Sequence, residues 1–397
     1  MQSSTQTHPA VRDLMEKTPA LRFVLEILEE AGHPAHLVGG SVRDLLMGRE
    51  ASDLDVSTRA TPETVAALFG RRGCKVHPTG IEHGTLTVVV DDMPFEITTW
   101  RRDVATDGRR ATVAFAERIE EDAQRRDFTV NALYAARNGE VIDPTGLGLR
   151  DAARGRIRFI GEARARIEED HLRILRFFRF SASHAGGVED GEDLAACRAL
   201  KEHLKSLPGE RIGTEMLKLL VAPAAAAALC EMARSGLLPI VLPDLDLEAK
   251  DVEARLARLA AAEQVQGLHP CPVRRLACLV EKAPREALKL SRKQADGIEA
   301  IVEASRSSMA PGELGYRKGA VVAEDAFLRR FALGCDRSLG TDLIEAARRG
   351  AEQVFPVKAA DLMPAFSGAA LGRELARIEA CWVAGDFLAP RDKLLAK

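Results

Sequence analysis

Two aspartates one residue apart, Asp53 and Asp55, stand in the segment Ser52-Asp53-Leu54-Asp55-Val56. Side chains of an extended chain alternate between faces. A strand here would therefore aim both carboxylates one way and turn Leu54 and Val56 toward a core. Two like charges on one face repel unless a cation lies between them. Hard oxygen ligands suit Mg²⁺, which also keeps substrate phosphates as ligands. Phe95-Glu96-Ile97-Thr98-Thr99-Trp100 reads as a second strand, with Glu96 interrupting its apolar entry as a third carboxylate would. The plain alternatives are an acidic surface turn at 53–55 and an edge-strand charge at 96. Three carboxylates holding two Mg²⁺ ions suit phosphoryl transfer: one ion acidifies an attacking hydroxyl and the other stabilises leaving pyrophosphate.

Other residues suit a nucleotide. Gly39-Gly40-Ser41 precedes the aspartates and opens a predicted helix that carries Arg43. Backbone amides at such a helix start can approach phosphate closely. No Gly-Lys-Ser/Thr follows, so this is not a Walker A loop, and a simple tight turn is the competing reading. Arg126 can neutralise triphosphate charge. Asp127 and Asn131, four apart, could face one ribose and favour its 2′-hydroxyl, although Asp127 could equally cap a helix ahead of Phe128. Phe128 and Val130 read as core. Asp170 and Arg173 fall three apart on a predicted helix and so share a face. An aspartate acceptor beside an arginine fork can read a Watson-Crick edge. Cytosine and adenine both offer an amine and a ring acceptor, whereas uracil and guanine set a carbonyl against the carboxylate. A surface ion pair is the ordinary alternative.

The elements that must position these groups are legible in the patterning. Leu21, Val24, Leu25 and Leu28 recur at helical spacing until Gly32, after a polar tail. Short apolar runs at 36–38, 54–56, 84–90, 95–99 and 132–136 predict a small mixed sheet, with helices at 41–48 and 62–70. Thr61-Pro62-Glu63 supplies an N-cap and a proline for the second helix. The charged stretch 103–124, with Asp107-Gly108-Arg109-Arg110, reads as a long mobile loop. Beyond about 160 the strand signal nearly vanishes and helical periodicity takes over. The Ala-rich run near Ala222 to Cys230 reads as a packed helix. The expected fold class is α+β: a mixed head over 1–150, a helical neck over 151–220, and a helical body and tail over 221–397.

Composition narrows the function classes. The 397 residues are 46% hydrophobic and 29% charged, which suits a globular chain of more than one domain. Aromatics make up only 5%, which disfavours RNA binding on broad aromatic platforms. The net charge of −3 leaves any nucleic-acid grip to local basic patches. In the C-terminal half Arg274, Arg275, Arg292, Lys293, Arg329 and Arg330 could meet phosphates, with a solvated surface as the default reading. Seven scattered cysteines without a Cys-x-x-Cys fit reduced thiols in the cytoplasm. Met1 to Pro9 lack an apolar signal core, and no 18-residue apolar run predicts a membrane span.

Taken in order, several segments resemble one family. Val38-Gly39-Gly40-Ser41-Val42-Arg43-Asp44-Leu45-Leu46-Met47-Gly48 followed by Asp53-Leu54-Asp55 closely resembles the opening motif of class II tRNA nucleotidyltransferases and bacterial poly(A) polymerases. Arg125-Arg126-Asp127-Phe128-Thr129-Val130-Asn131-Ala132 is similar to the family's ribose-recognition motif. Asp143-Pro144-Thr145-Gly146 with Asp151 is similar to its hinge motif, though one residue longer and with Ala152 where leucine is common. Glu169-Asp170-His171-Leu172-Arg173 is similar to its base-selection motif. Arg211, Glu215 and Lys218 are similar to its last helical motif, and Gly236-Leu237-Leu238-Pro239 to a body segment.

The resemblance implies a polymerase-β-like head, then helical neck, body and tail, and it adds Arg176 to the nucleotide site. It implies Mg²⁺ at Asp53, Asp55 and Glu96, and tRNA, CTP and ATP as substrates. Lys75-Val76-His77-Pro78-Thr79 is closer to the CCA-adding members than to the poly(A) polymerases. A long 103–124 loop would suit an enzyme able to add the terminal A. A poly(A) polymerase and an A-adding-only enzyme stay open as alternatives. So does a catalytically silent RNA-binding protein, which predicts loss of the acidic trio.

Overall fold

The computed structural model describes residues 4–51, 53–81, 84–106, 111–189 and 191–396, and for 103–106 and 111–113 the description stops at the backbone. The chain divides into two compact units. One comprises Met1–Glu215 with Ala222–Val241, and the other Met216–Val221 with Leu242–Lys397.

The first unit is built on an eight-stranded mixed sheet. In chain order its elements are β1 (Ser4–Thr7), α1 (Pro9–Lys17), α2 (Pro19–Glu30), β2 (Ala35–Val38), α3 (Gly40–Leu46), β3 (Val56–Thr58), α4 (Pro62–Gly70), β4 (Lys75–Gly80), β5 (Thr85–Val90) and β6 (Met93–Thr99). A separate hairpin of β7 (Arg101–Thr106) and β8 (Ala111–Phe115) follows. Next come α5 (Ile119–Gln124), a 3-10 turn at Thr129–Asn131, β9 (Tyr134–Ala135) and β10 (Glu140–Asp143). The strand order is β1-β10-β9-β2-β3-β6-β5-β4, and of these pairings only β3 with β6 is parallel.

Local chemistry explains the elements. Thr61 caps α4 by accepting from the Thr64 amide, with Pro62 in the first turn. Asp91 and Asp92 both take positive φ and close the two-residue hairpin between β5 and β6. Along β5, Leu86, Val88 and Val90 are buried, and the intervening threonines and Val89 face the other way. By the β3–β6 and β5–β6 registers, Val56, Ile97 and Leu86 share the apolar face. The opposite face then receives Ser57, Thr98 and Thr85, whose last two hydroxyls lie 3.0 Å apart.

One element was not foreseen and one expectation changes. The polar tail is ordered as β1, antiparallel to β10 at the sheet edge. The stretch 103–124 is not one long loop: its described part holds strands of the β7–β8 hairpin and helix α5, because hairpin pairing satisfies backbone groups that a loop would leave to water. Residues 107–110 lie outside the described residues.

Helices complete the first unit: α6 (Gly148–Arg154), α7 (Ala163–Glu169), α8 (Arg173–His184), α9 (Glu192–Ala199), a 3-10 turn at Lys201–Ser206, α10 (Gly209–Leu220), which runs on into the second unit, α11 (Ala225–Arg234) and α12 (Leu238–Val241). The Ala-rich helix is packed as expected, with Ala228, Leu229 and Cys230 buried on α11. α8 buries Ile174, Leu175, Phe177 and Phe178 on one side. Its Phe177 stacks on Phe159, with centroids 5.5 Å apart, and Phe159 meets Phe128 at 5.0 Å. Phe128 and Val130 are fully buried, as their apolar character predicts.

The described elements of the second unit after residue 242 are all helical, from α13 (Ala249–Val265) through α14 (Pro272–Ala277), α15 (Arg285–Leu288), α16 (Arg292–Arg306), α17 (Pro311–Lys318), α18 (Ala320–Ala332), α19 (Thr341–Ala351) and α20 (Gly368–Ala384) to α21 (Arg391–Leu395). Arg274, Arg275 and Arg329 are buried, against the expectation of phosphate-facing cations. Arg274 pairs with Glu263 and Asp325, and Arg275 pairs with Glu263 at 2.7 Å. Arg329 donates to the Ala277 carbonyl and to Ser305. Such buried guanidinium groups hold helices together and are not available to RNA. Arg292 and Arg330 are ion-paired with Asp296 and Asp336.

Candidate active site

The three carboxylates lie in one cleft at one end of the parallel pair. Asp53 and Asp55 precede β3 and are not part of it, so strict strand alternation is not what aims them. The Asp55 carbonyl accepts from the Val38 amide at 2.9 Å, which ties the segment to the end of β2. The Ser41 hydroxyl donates to the Asp53 carbonyl. Because Val56 is paired with Ile97, the residues just before them, Asp55 and Glu96, come side by side. Glu96 lies on β6 between β3 and β5, so it is not an edge-strand charge.

Asp53, Asp55 and Glu96 line a cleft of about 780 Å³ together with Thr87 and Asp92. Asp92 is a fourth acid that the sequence reading passed over. Partial burial, then the nearby Glu96 and Asp53 charges, push the Asp55 carboxyl up to about 6, while Arg126 pulls it down. The carboxylates line a shared wall and do not close a cage: among the described residues no three His, Cys, Asp or Glu side chains stand close enough to hold one ion. In kind the donors fit a hard divalent cation, since they offer oxygen only and already carry crowded negative charge.

Gly39 and Gly40 form the turn beside this cleft. Gly39 has φ +75°, and a Cβ there would stand 3.4 Å from Arg126 Nη1, so a larger residue is both strained and crowded. Gly40 begins α3, and Ser41 is buried.

Arg126 sits beside that turn. Its guanidinium donates to Asp122 at 3.0 Å, to the Tyr134 hydroxyl at 3.2 Å and to the Asn131 carbonyl at 3.3 Å. Asp122 is fully buried. Its neighbours Arg126 and Arg125, with the Tyr134 hydroxyl, outweigh burial and hold its carboxyl below the usual range. Asp122 and Tyr134 escaped the sequence reading; the signal available was an acid four residues before an arginine.

A second network underlies the ribose and base candidates. Asp127 Oδ1 accepts from the Phe128 amide and from Asn131 Nδ2, and its Oδ2 accepts from Arg176 Nε and Nη2. Its four lone-pair positions are thus occupied, which leaves ribose bonding to Asn131. Burial raises the Asp127 carboxyl, but Arg176, Asn131 and the Phe128 amide together hold it below the usual range. Asn131 Oδ1 accepts from Arg43 Nη1 at 2.6 Å. Arg43 is buried, pairs with Asp44 and lies 5.0 Å from the Phe180 ring centroid, so it braces the turn instead of projecting into the cleft. Arg176 and Arg179 stand over the same ring, and Arg179 pairs with Glu215.

The structure does not place Asp170 and Arg173 on one helix. Asp170 is extended in the break between α7 and α8, and Arg173 begins α8. Asp170 Oδ1 accepts from the Leu172 amide and Oδ2 from Arg211 Nη2 at 2.8 Å. Arg173 instead spends three of its five N–H donors on the Arg166 carbonyl, Glu169 and the Arg125 carbonyl. Both oxygens of Asp170 keep a second lone pair for a ligand.

Asp143 and Asp151 have structural partners. Asp143 accepts from the Thr145 hydroxyl and amide and the Gly146 and Leu149 amides, and Asp151 joins Thr129 to Arg158.

With this geometry in place, the relatives become informative. Residues 35–158 match the poly A polymerase head domain, and 191–248 match a probable RNA and SrmB-binding site of polymerase A. A Streptococcus pyogenes CCA-adding enzyme is 46% identical over 202 residues, 50% of this chain and 49% of that protein. The human mitochondrial CCA tRNA nucleotidyltransferase 1 is 39% identical over 207 residues, 51% of this chain and 48% of that protein. The crystal structure of the Bacillus stearothermophilus CCA-adding enzyme in complex with CTP shares 30% identity and a TM-score of 0.79, over 98% of this chain and 96% of that one. The chain belongs to the CCA-adding enzyme family. Its α+β head followed by helices is that family's fold. The chain spans about half the length of the curated relatives it matches.

Proposed function

We propose that the protein adds C, C and A to the 3′ end of tRNA from CTP and ATP, without a nucleic-acid template. The observation that carries this reading is the meeting of Asp53, Asp55 and Glu96 in one cleft beside the Gly39 turn and Arg126. The family likeness, including a relative bound to CTP, supports the substrates.

Asp53, Asp55 and Glu96 would hold Mg²⁺. When bound, the metal supplies Lewis acidity that eases deprotonation of the tRNA hydroxyl and neutralises charge on the departing pyrophosphate. Arg126, held by Asp122 and Tyr134, presents fixed positive charge next to the carboxylates. Asn131 contacts the ribose, with Asp127, Arg43 and Arg176 fixing its orientation. Gly39, Gly40 and Ser41 keep the turn open at backbone level for phosphate. Asp170 accepts the exocyclic amine of cytosine or adenine, and Arg173 turns donors toward the ring acceptor. The head over 1–150 and the neck over 151–220 carry this chemistry, and 221–397 engages the tRNA. We assign the enzyme to the cytoplasm, as the free cysteines suit; no described helix is long and apolar enough to cross a membrane.

Incubation with Mg²⁺ and tRNA lacking its last three nucleotides, with CTP and ATP supplied separately and together, tests the reading. It expects addition of three nucleotides and then a stop. A halt after CC, addition of A alone, or long A tails on varied RNAs would reject it. Asp170→Ala should relax the preference for CTP and ATP over UTP and GTP by ten- to a hundredfold, as expected for one lost base contact. Strict preference in that variant would remove Asp170 from base selection.

A further inference from the structure

Three segments of the first unit converge beside Asp170 in a way the reading above does not use. The break between α7 and α8 supplies His171, the 3-10 turn Lys201–Ser206 supplies His203, and α10 supplies Arg211. The two imidazoles stack, with ring centroids 4.5 Å apart and planes 28° from parallel. His171 Nδ1 lies 2.9 Å from the Ile167 carbonyl, which can only accept, so Nδ1 carries the proton and the ring is fixed in orientation. His203 is exposed and rests on this fixed ring. Arg211 meets Asp170 through Nη2, while its Nη1 is buried and has no hydrogen-bond partner among the described residues.

We propose that His203, supported from behind by His171, is a stacking platform for the unpaired base at the 3′ end of the RNA acceptor. An exposed aromatic ring backed by a second ring is a surface that holds unpaired bases without reading their sequence. Sequence tolerance is what an acceptor end needs when its last base changes at each addition. RNA, rather than incoming nucleotide, is favoured because His203 and Arg211 both fall in the segment 191–248 that matches an RNA-binding model. The assignment of the occupant rests on the proposed transfer reaction.

The test uses the full chain and a tRNA with 2-aminopurine as its 3′-terminal base, without nucleotides. Stacking should quench the probe on binding. His203→Ala is expected to lose most of the quench and to raise the KM for tRNA at least about fivefold with little change in the KM for CTP or ATP. His203→Phe should restore both, which a merely structural imidazole would not allow. Unchanged quench and tRNA KM in His203→Ala would overturn the proposal, and so would a change confined to the nucleotide KM. If the wild-type chain transfers no nucleotide, the enzymatic reading falls, and the quench comparison still decides whether the platform binds RNA.

Discussion

The acids of the cleft and the acids of the helical body obey the same electrostatics with opposite outcomes. In the body, Glu263 is 2% exposed and meets two guanidinium groups, while Asp325 meets Arg274. Among the described residues, these buried acids each face at least one guanidinium group. In the cleft, partial burial and the Glu96 and Asp53 charges push the Asp55 carboxyl up, and Arg126 offsets them only in part. Paired acids stabilise an arrangement of helices, whereas crowded, under-neutralised acids hold free energy that a cation can release. Composition cannot tell these apart, since both sets are ordinary Asp, Glu and Arg.

The contrast breaks first if the cleft acids are dispensable. Asp53→Ala should reduce nucleotide transfer by on the order of a thousandfold or more. Its circular dichroism spectrum should match the wild type and its urea midpoint should be no lower, because Asp53 is exposed and its removal relieves charge crowding at Asp55. Residual transfer within tenfold of wild type would remove the trio from catalysis. The converse change is Glu263→Gln, which leaves two buried guanidinium groups short of charge. It should cost about 3–5 kcal/mol of stability in urea titration. A loss below about 1 kcal/mol would show that the body lattice is not a structural anchor.

A smaller effect sharpens the comparison through pH. The Asp55 carboxyl titrates at about 6 when folded, above its ordinary 3.8. The folded state therefore holds this proton more tightly than the unfolded chain. Stability linked to the group is fully present below about 3.8 and is lost as pH rises through about 6. With a chelator present, Asp55→Asn should be more stable than wild type at pH 7.5 by roughly 1–2 kcal/mol, after allowing for partial exposure. The gap should close near pH 4. Equal stability at both pH values would mean that neither burial nor like-charge crowding raises this carboxyl.

Much of this organisation was legible in the residues themselves. The Thr61 cap, the apolar run at 84–90 and the helical spacing of Leu21, Val24, Leu25 and Leu28 are local signals, and α4, β5 and α2 formed close to where those patterns put them. The carboxylates were identifiable by type and spacing. What stayed hidden were partners set by tertiary packing. Nothing near Asp170 in sequence selects Arg211, 41 positions away, over Arg173. Likewise Arg176 reaches Asp127 across 49 positions. The 103–124 stretch misled because its charges mask strand pairing whose satisfaction is mostly backbone. The buried arginines of the body misled for a related reason: a guanidinium looks solvated until its acid is known.

The most direct test of the central claim is Mn²⁺ titration of the full chain followed by electron paramagnetic resonance, with Mn²⁺ standing in for Mg²⁺ and Glu96→Gln as the comparison. Ligation that includes Glu96 predicts saturable binding that weakens at least about tenfold in Glu96→Gln, a loss consistent with removing one charged ligand. Identical Mn²⁺ affinity in the two proteins would contradict it.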